Sequence, residues 1–409
     1  MKAQRPYPQI TITPKGEAAL VGGHPWVYEG EVTGLSGPVS DGQLVDVISR
    51  RGSWLGCGFF NSRSRIRVRV LSRNPNDRFD RAFWRRRIQY ALDYRKTVMG
   101  PDFACSRLIF GEADHFPGLT VDLFQDILVT EVLSLGMEVR KHLLYPLLVE
   151  QLKNDGIEIR AIYERNEAAL RDKEGLPKET GFYPLPGLAT DLDGHLELVE
   201  NGIRYDVDYI NGQKTGFFLD QKYNRRAAAS LAPGRRVLDC CTHTGAFALN
   251  CAQAGAEHVT AVDISKDAVE LTRRNAALNG LSDKVEVQQA DVFDLLTTLA
   301  QEKKHPYDYI ILDPPAFTKS GATVKNAYRG YKEINLKAMK LLPRGGYLAT
   351  CSCSHFMTPN LFCQMLREAA ADAAVSLRQI EDRRQSPDHP ILWGVPETEY
   401  LKFYLFQIV

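Results

Sequence analysis

The sequence has 409 residues, of which 44% are hydrophobic and 25% charged, and its formal net charge is +1. That length exceeds one ordinary core and predicts two or three domains. No apolar run is long enough to cross a bilayer, and the N-terminal segment lacks the apolar core of a signal peptide. The eight cysteines follow neither a disulfide framework nor a zinc spacing. We therefore expect a cytoplasmic protein with reduced cysteines, no bound metal and no membrane partner.

Residues 1–73 are predicted to form a small all-β domain, folded as a barrel. Short segments of alternating polarity are separated there by turn residues such as Gly and Asp. The predicted strands are QITITPKG, WVYEGEV, GQLVDVISRRG, WLGCGFF and RIRVRVL.

Positive charge is concentrated between Arg50 and Gly100, where fourteen Lys or Arg residues stand against three Asp or Glu. In the segment 62–70, four arginines alternate with other residues at the period of a strand and are predicted to share one face. That face is either solvated or a phosphate-binding surface, since Arg binds phosphate oxygens bidentately. We take Arg65 and Arg67 as candidate RNA contacts.

Residues 74–190 are predicted to form a small central α/β domain. The apolar spacing from Asp77 to Met99 predicts a helix. The segment 107–133 then predicts a hairpin-rich sheet, 137–155 an amphipathic helix and 159–166 a further strand. The buried face of the first helix is predicted to contain Phe83, Trp84, Ile88, Ala91 and Leu92. A Pro/Gly-rich stretch, 183–187, is predicted to be a linker.

Residues 191–409 alternate regularly between strands and helices. Buried apolar strands separated by helices predict a doubly wound, Rossmann-like α/β fold with a parallel sheet. The last two strands, near VSLRQIE and LKFYLFQIV, have no helix between them and predict an antiparallel hairpin at a sheet edge. The five strands before them are RRVLDCC, HVTAVDI, KVEVQQAD, YDYIILDPP and GGYLATCSCS.

Acidic residues follow four successive strands of this domain, at the edge where such sheets bind ligands. A single such acid is commonly a helix N-cap, but four together predict a binding site. The first turn lacks the G-x-G-x-x-G that a dinucleotide pyrophosphate needs, which disfavours a nicotinamide-dependent dehydrogenase and favours S-adenosylmethionine. The candidate cofactor residues are Asp239 with Thr244 and Gly245 for the methionine end, Asp263 with Ile264 for the ribose, Asp291 with Val292 for the adenine, and Asp313.

The fourth strand ends in a stiff loop, Asp313-Pro314-Pro315-Ala316-Phe317. The prolines fix the backbone, so Asp313 and the aromatic ring of Phe317 are positioned to face a flat heterocycle. We take Pro314, Pro315 and Phe317 as candidate substrate contacts.

The fifth strand ends in Cys351-Ser352-Cys353, where strand alternation puts both thiols on one face. Carbon 5 of a pyrimidine accepts a methyl group only after a nucleophile has added to carbon 6, and a thiolate can do so. A general base must then remove the proton from carbon 5. We take Cys353, at the loop edge, as the candidate nucleophile and Cys351 as core packing.

Several segments together resemble the bacterial 23S rRNA cytosine-5 methyltransferases of the large-subunit methyltransferase I type. The resemblance runs from His24 to Lys402, on GHPWVYEGEV, GEADHFPGLTVD, GQKTGFFLDQKYNRR, LDCCTHTGAFAL, DPPAF, RGYKEINLKAMKLL, SCS and DHP. It implies a PUA domain at residues 1–73, a central α/β domain at 74–190 and a methyltransferase domain at 191–409. It also implies that the segment 214–221 lies over the cofactor, with Gln221 and Arg225 as contacts.

Two departures leave questions open. Many RNA cytosine-5 methyltransferases carry a second cysteine after the proline of the DPP-like motif, where this chain has Pro315-Ala316. The proton-abstracting base is therefore unassigned between Asp313 and a bound water. The modified nucleotide also stays open, because members of the family differ in their target, and a homodimer is neither required nor excluded.

Three functions are compatible with the sequence. The first is formation of 5-methylcytidine in 23S rRNA or a large-subunit precursor through a covalent Cys–C6 adduct. The second is methylation of an exocyclic amine on a purine of RNA, which needs no thiol. The third is a non-enzymatic RNA-binding module in ribosome assembly, which the four acids at the strand ends disfavour.

Overall fold

The computed structural model describes residues 5–302, 305–318 and 320–409. Its first six strands are β1 (Gln9–Ile12), β2 (Trp26–Tyr28), β3 (Val32–Leu35), β4 (Leu44–Ser49), β5 (Trp54–Phe60) and β6 (Ile66–Ser72). They form one sheet in the order β2-β6-β5-β4-β1-β3, in which β1 and β4 are parallel and the other neighbours antiparallel. The apolar side of each strand is buried in one core that contains Ile10, Val27, Val45 and Val68.

The sequence did not predict helix α1 (Pro14–Val21), which follows β1 directly. The strand predicted at QITITPKG ends at Ile12, because the side chain of Thr13 caps the helix by accepting a hydrogen bond from the Gly16 amide at 3.2 Å. Pro14 occupies the first helical turn, where no amide donor is required.

A second sheet of five strands follows, in the order β11-β10-β9-β8-β7. Its elements are α2 (Arg81–Met99), β7 (Cys105–Phe110), β8 (Leu119–Phe124), β9 (Ile127–Val132), α3 (Leu135–Glu138), α4 (Lys141–Asn154), β10 (Ala161–Asn166), α5 (Leu170–Glu174) and β11 (Glu179–Phe182). All five apolar residues predicted for the first helix are buried in the core under this sheet. The predicted linker packs Tyr183 and Leu185 onto the same core and is therefore not a free connection.

The last part of the chain begins with a hairpin and a helix, β12 (His195–Glu200), β13 (Ile203–Asp208) and α6 (Lys222–Ala229). A seven-stranded sheet follows, with the order β16-β15-β14-β17-β18-β20-β19. Its elements are β14 (Arg236–Cys240), α7 (Ala246–Gln253), β15 (His258–Asp263), α8 (Lys266–Leu278), β16 (Val285–Gln289), α9 (Val292–Gln301), β17 (Tyr309–Leu312), α10 (Val324–Leu341), β18 (Tyr347–Ser352), α11 (Pro359–Asp372), β19 (Leu377–Arg383) and β20 (Lys402–Ile408).

Strands β14 to β18 are mutually parallel, whereas β20 runs antiparallel to both β18 and β19. The predicted doubly wound sheet with an antiparallel hairpin at one edge is therefore confirmed. The strand order reverses beside β14, which has β15 on one side and β17 on the other. Ligands bind such sheets at the carboxyl ends of the two strands where the order reverses.

The described residues fall into two compact units. One contains the described part of Met1–His195 together with Asp208–Gly216 and Pro387–Thr398, and the other contains Leu196–Val207, Phe217–Ser386 and Glu399–Val409. The boundaries predicted for three domains stay a prediction. Within the described part of the chain, no helix has the length and apolar character that a membrane span requires.

The four arginines of the segment 62–70 do not share one exposed face, which corrects the expectation from alternation. Strand β6 begins only at Ile66, so Arg63 and Arg65 precede it and are exposed. Arg67 pairs with Glu29 at 2.6 Å, and Arg69 is buried. The exposed positive charge is therefore smaller than the sequence suggested.

Arg69 is buried because acidic side chains from elsewhere in the same unit neutralise it. Its guanidinium contacts Glu112 and Glu174, both at 2.9 Å. Glu174 also accepts hydrogen bonds from the side chains of Asn61 and Ser64. Such a network stabilises the unit only while every partner is present, since removing one leaves a buried charge uncompensated.

We expect Glu174→Gln to destabilise the protein by about 3 kcal/mol, because Arg69 loses one of its two buried partners. The matched variant Glu29→Gln breaks the pair with Arg67, in which the Glu29 side chain is 65% exposed. It should cost less than about 1 kcal/mol. Chemical denaturation measures both, and equal losses for the two variants would contradict this account of Arg69.

Candidate functional site

A tight turn connects β14 to α7. Cys241, His243 and Gly245 all have positive φ, at 64°, 53° and 80°. Only glycine fits at position 245, because a Cβ there would lie 2.7 Å from Cγ2 of Thr272. The backbone of this turn therefore differs from that of an ordinary helix N-terminus.

Asp239, the fourth residue of β14, lies beneath this turn and is fully buried. One carboxylate oxygen, Oδ2, accepts hydrogen bonds from Thr242 Oγ1 at 2.5 Å and from the Ala248 amide at 3.0 Å. The other oxygen, Oδ1, is buried and has no hydrogen-bond partner among the described residues. Burial raises the pKa of Asp239 to about 7. A cationic donor placed at Oδ1 would satisfy the orphaned atom and favour the charged carboxylate.

The next two strand ends carry the predicted ribose and adenine acids. Asp263 accepts hydrogen bonds from the His243 amide at 3.0 Å and the Ser265 amide at 2.9 Å, so it fixes the turn after β14 to the end of β15. Asp291 caps α9, accepting from the Phe293 amide at 2.7 Å. This cap is the common structural role of an acid at a strand end.

Two apolar side chains accompany these acids. Ile264 is 65% exposed, whereas Val292 is buried. An exposed isoleucine directly after Asp263 provides an apolar surface for a bound ring. Their roles as cofactor contacts stay predictions.

Asp313, at the end of β17, is connected to β18 through Cys351. The Cys351 thiol donates to Asp313 Oδ1 at 3.0 Å and to the Leu312 carbonyl at 3.3 Å. It also accepts from Gln221 Nε2 at 3.5 Å. Burial raises the pKa of Cys351, which keeps this sulfur a thiol.

Cys353 differs from Cys351 in its exposure. Cys351 is fully buried, whereas Cys353, just beyond the last residue of β18, is partly exposed. Of the two thiols, only Cys353 is accessible to a ligand at the carboxyl ends of the strands.

Lys402, which no sequence motif singled out, lies close enough to Cys353 for the charges of the two side chains to interact. It faces Ser352 across the β18–β20 pair, and its ammonium donates to the carbonyls of Ser354 at 2.7 Å and Tyr400 at 2.8 Å. Burial lowers the pKa of Lys402 to about 8, and the charge of Cys353 opposes that shift. One signal in the sequence could have revealed it, a single Lys in the apolar strand LKFYLFQIV.

Arg225 is held by groups of its own unit. Its guanidinium donates to Glu200 at 2.6 Å and to the Phe218 carbonyl at 2.6 Å, and it lies 4.7 Å from the centre of the Phe217 ring. The Phe218 ring in turn contacts His243, with centres 4.7 Å apart. Arg225 therefore positions this segment beside the β14 turn, and a direct cofactor contact from it stays a prediction.

The loop after β17 places its residues in different environments. Pro314 is buried and Pro315 exposed. The half-buried Phe317 ring packs against Tyr331, with ring centres 4.5 Å apart, and against Phe293 at 6.0 Å. Phe317 therefore supports the loop from the core side, while Pro315 faces solvent.

Comparisons with known families and structures agree with this geometry. The model of the S-adenosylmethionine-dependent methyltransferase family matches residues 188–407, and that of the PUA-like domain matches 10–73. The fold is shared with an S-adenosylmethionine-dependent methyltransferase from Streptococcus mutans at a TM-score of 0.80 and 20% identity, covering 98% of this chain and 99% of that one. A methyltransferase complexed with SAH gives a TM-score of 0.82 with the same identity and coverage.

The fold and the matched family define the class as S-adenosylmethionine-dependent methyltransferases, and S-adenosylmethionine is the cofactor. Proteins named ribosomal RNA large subunit methyltransferase I are 40% identical in Shewanella amazonensis over 398 residues and 38% identical in Escherichia coli O127:H6 over 404 residues. The alignments cover 96% and 98% of this chain and 98% and 99% of those relatives. The chain belongs to the ribosomal RNA large subunit methyltransferase I family.

The residues at the strand ends fit this cofactor. Its methionine end carries an amino group, and the orphaned Oδ1 of buried Asp239 is an acceptor without a donor among the described residues. Asp263 is held beside the β14 turn, where its remaining lone pairs can accept from ribose hydroxyls.

We expect cofactor affinity to fall at acidic pH, because Asp239 must lose its proton to accept from the amino group. With a pKa of about 7, the affinity should approach a tenfold loss per pH unit below that value. Asp239→Asn should bind more weakly and without this pH dependence. Calorimetric titration with S-adenosylmethionine at neutral and acidic pH measures both effects.

The control is Asp294→Asn, which removes the same charge from an exposed position in the first turn of α9. It should keep the affinity and the pH dependence of the wild type. A wild-type affinity that stays constant from neutral to acidic pH would remove Asp239 from the cofactor site.

Proposed function

We propose that this protein transfers the methyl group of S-adenosylmethionine to carbon 5 of a cytosine in 23S rRNA. The observation that carries the proposal is the partly exposed Cys353 just after β18, which is the neighbour in the sheet of β17, the strand that Asp313 follows. Support for an RNA substrate comes from the PUA-like match at residues 10–73 and from the relatives, which are named for the large-subunit ribosomal RNA.

The proposed division of labour follows the predicted domains. Residues 1–73 contact RNA, with the exposed Arg65 as the first candidate and Arg67 as the second. Residues 74–190 form the central domain, and residues 191–409 bind the cofactor and the target base.

The chemistry needs a nucleophile because carbon 5 of cytosine is not electron-rich enough to accept a methyl group unaided. In the proposed reaction the Cys353 thiolate forms a bond to carbon 6, and the electron pair of the 5,6 double bond moves to carbon 5. S-adenosylmethionine, when bound, would supply the electrophilic methyl group that carbon 5 attacks, and S-adenosylhomocysteine would leave. A base then removes the carbon-5 proton, the double bond re-forms, and the thiolate leaves carbon 6.

The proposal assigns different roles to the two thiols of β18. Cys351 donates to Asp313 and is fully buried, so it is a structural group that positions the carboxylate. Cys353 is the attacking group because it is accessible. Asp313 is the candidate from this chain for the base, because it directly follows β17, the neighbour in the sheet of the strand that Cys353 follows.

We also propose that Lys402 positions and stabilises the thiolate. Its ammonium group is anchored by two carbonyl oxygens beside Cys353, so it cannot turn away into solvent. A fixed positive charge there favours the thiolate over the thiol.

We expect Cys353→Ala to lose at least about 10³-fold in methyl transfer to unmodified 23S rRNA, because the covalent step has no nucleophile. The matched variant Cys351→Ser removes the other thiol but keeps a donor to Asp313, so it should keep most of the activity and yield 5-methylcytidine. Transfer of labelled methyl from S-adenosylmethionine, followed by nucleoside analysis, measures both variants. A methylated purine as product, or full activity in Cys353→Ala, would instead favour methylation of an exocyclic amine.

We expect Lys402→Met to reduce kcat roughly tenfold and to move the acid limb of the rate profile to higher pH, because the thiolate loses its ammonium partner. The KM for RNA should stay unchanged. Lys337→Met, on α10, removes the same charge away from Cys353 and should leave the profile unmoved. A purely structural Lys402 would lower the yield of folded protein without shifting the profile.

A further inference from the structure

Two adjoining cavities follow the exposed face of helix α2, with volumes of about 860 Å³ and 600 Å³. Both are lined entirely by residues of the first compact unit. They share Ala82, Arg86 and Tyr90, which therefore form a ridge between them. We call this feature the α2 groove.

Basic and aromatic side chains lie along the groove. Arg86, Tyr90 and Tyr94 are spaced four residues apart and lie on one stripe of the helix, with about 6 Å between successive positions along its axis. Tyr90 is 61% exposed and Tyr94 38% exposed. The Tyr94 hydroxyl donates to the Pro387 carbonyl at 3.0 Å, which fixes that ring at the edge of the groove.

The acids of the groove are already engaged within the protein. Asp114 binds the guanidinium of Arg95 through both of its oxygens, and Asp80 caps α2 by accepting from the Phe83 amide at 2.9 Å. Asp77 accepts from the Ser72 hydroxyl and from Arg86 Nη2 at 3.3 Å. These contacts compensate the carboxylates internally, so they oppose an anionic ligand only weakly.

The arginines of the groove keep donors for a ligand. Arg86 uses one nitrogen for Asp77, and its side chain is 47% exposed. Arg78 is exposed and lines the larger cavity. Arg87 donates to the Leu71 carbonyl at 2.8 Å, and its Nη1 is buried without a hydrogen-bond partner among the described residues. An anionic ligand in the groove would meet guanidinium groups whose donors are available.

We propose that the α2 groove binds a single-stranded segment of RNA. Phosphate oxygens pair with Arg78, Arg86 and Arg87, and bases stack on Tyr90 and Tyr94. A duplex keeps its bases stacked on each other, so only an unpaired strand can offer base faces to two separate rings. The choice of RNA as the ligand rests on the proposed function. The α2 groove is then a second RNA-binding surface, separate from the exposed Arg65 that precedes β6.

The test measures binding of a short fluorescein-labelled single-stranded RNA to the full-length protein by fluorescence anisotropy. Tyr90→Ala should weaken binding about tenfold through the loss of one stacked base, whereas Tyr90→Phe, which keeps the ring, should bind like the wild type. Arg78→Gln should weaken binding and reduce the slope of log affinity against log salt by about 0.7. Lys153→Gln removes the same charge from an exposed position on α4 and should change neither quantity.

Unchanged affinity in Tyr90→Ala, or equal losses in Arg78→Gln and Lys153→Gln, would overturn the proposal. It would also fail if Tyr90→Ala bound naked RNA normally but failed to methylate an assembled subunit, since the groove would then contact a protein. Nucleoside analysis of the wild-type product is the separate test of the proposed function. A protein that binds RNA through Tyr90 without making 5-methylcytidine would retain the groove and lose the proposed reaction.

Discussion

The chemistry proposed here depends on one constraint of the sheet, the reversal of strand order beside β14. Strands β14 and β17 are parallel neighbours, but the chain continues outward from them in opposite directions. Their carboxyl ends are therefore left open side by side, with Asp239 under the first turn and Asp313 after the second strand. Burial at this edge raises the pKa of Asp239, and its Oδ1 has no hydrogen-bond partner among the described residues. A cationic group of the cofactor can donate to that oxygen.

The same sheet separates two chemically similar thiols. Cys351 lies inside β18, where the Leu312 carbonyl and Asp313 accept from it and burial keeps it protonated. Cys353 lies two residues further on, beyond the last hydrogen-bonded pair, and is partly exposed beside the anchored ammonium of Lys402. The end of β18 at Ser352 therefore separates a buried thiol from a partly exposed one. This difference, rather than the presence of cysteine, favours a covalent reaction at Cys353.

Much of the fold could be predicted from sequence because periodicity and strand order depend on local patterns. The parallel sheet, its edge hairpin and the apolar face of α2 were predicted for this reason. Long-range pairing was not visible in the same way: the burial of Arg69 depends on Glu112 and Glu174, which are distant in sequence. Lys402 was missed because its neighbour Cys353 is brought to it only by the antiparallel pairing of β18 with β20. Helix α1 was missed because a cap at Thr13 interrupts an otherwise continuous strand pattern.

The central claim, a covalent bond between Cys353 and cytosine, is tested most directly with RNA that carries 5-fluorocytidine at the target. A base can remove a proton from carbon 5 but cannot remove fluorine in the same way. The release step is therefore blocked, and the adduct accumulates. Mass spectrometry of the denatured protein after incubation with this RNA and S-adenosylmethionine should show one covalent complex, mapped to the peptide that contains Cys353. Absence of any complex in a preparation that methylates ordinary 23S rRNA, or an adduct on another cysteine, would contradict the account.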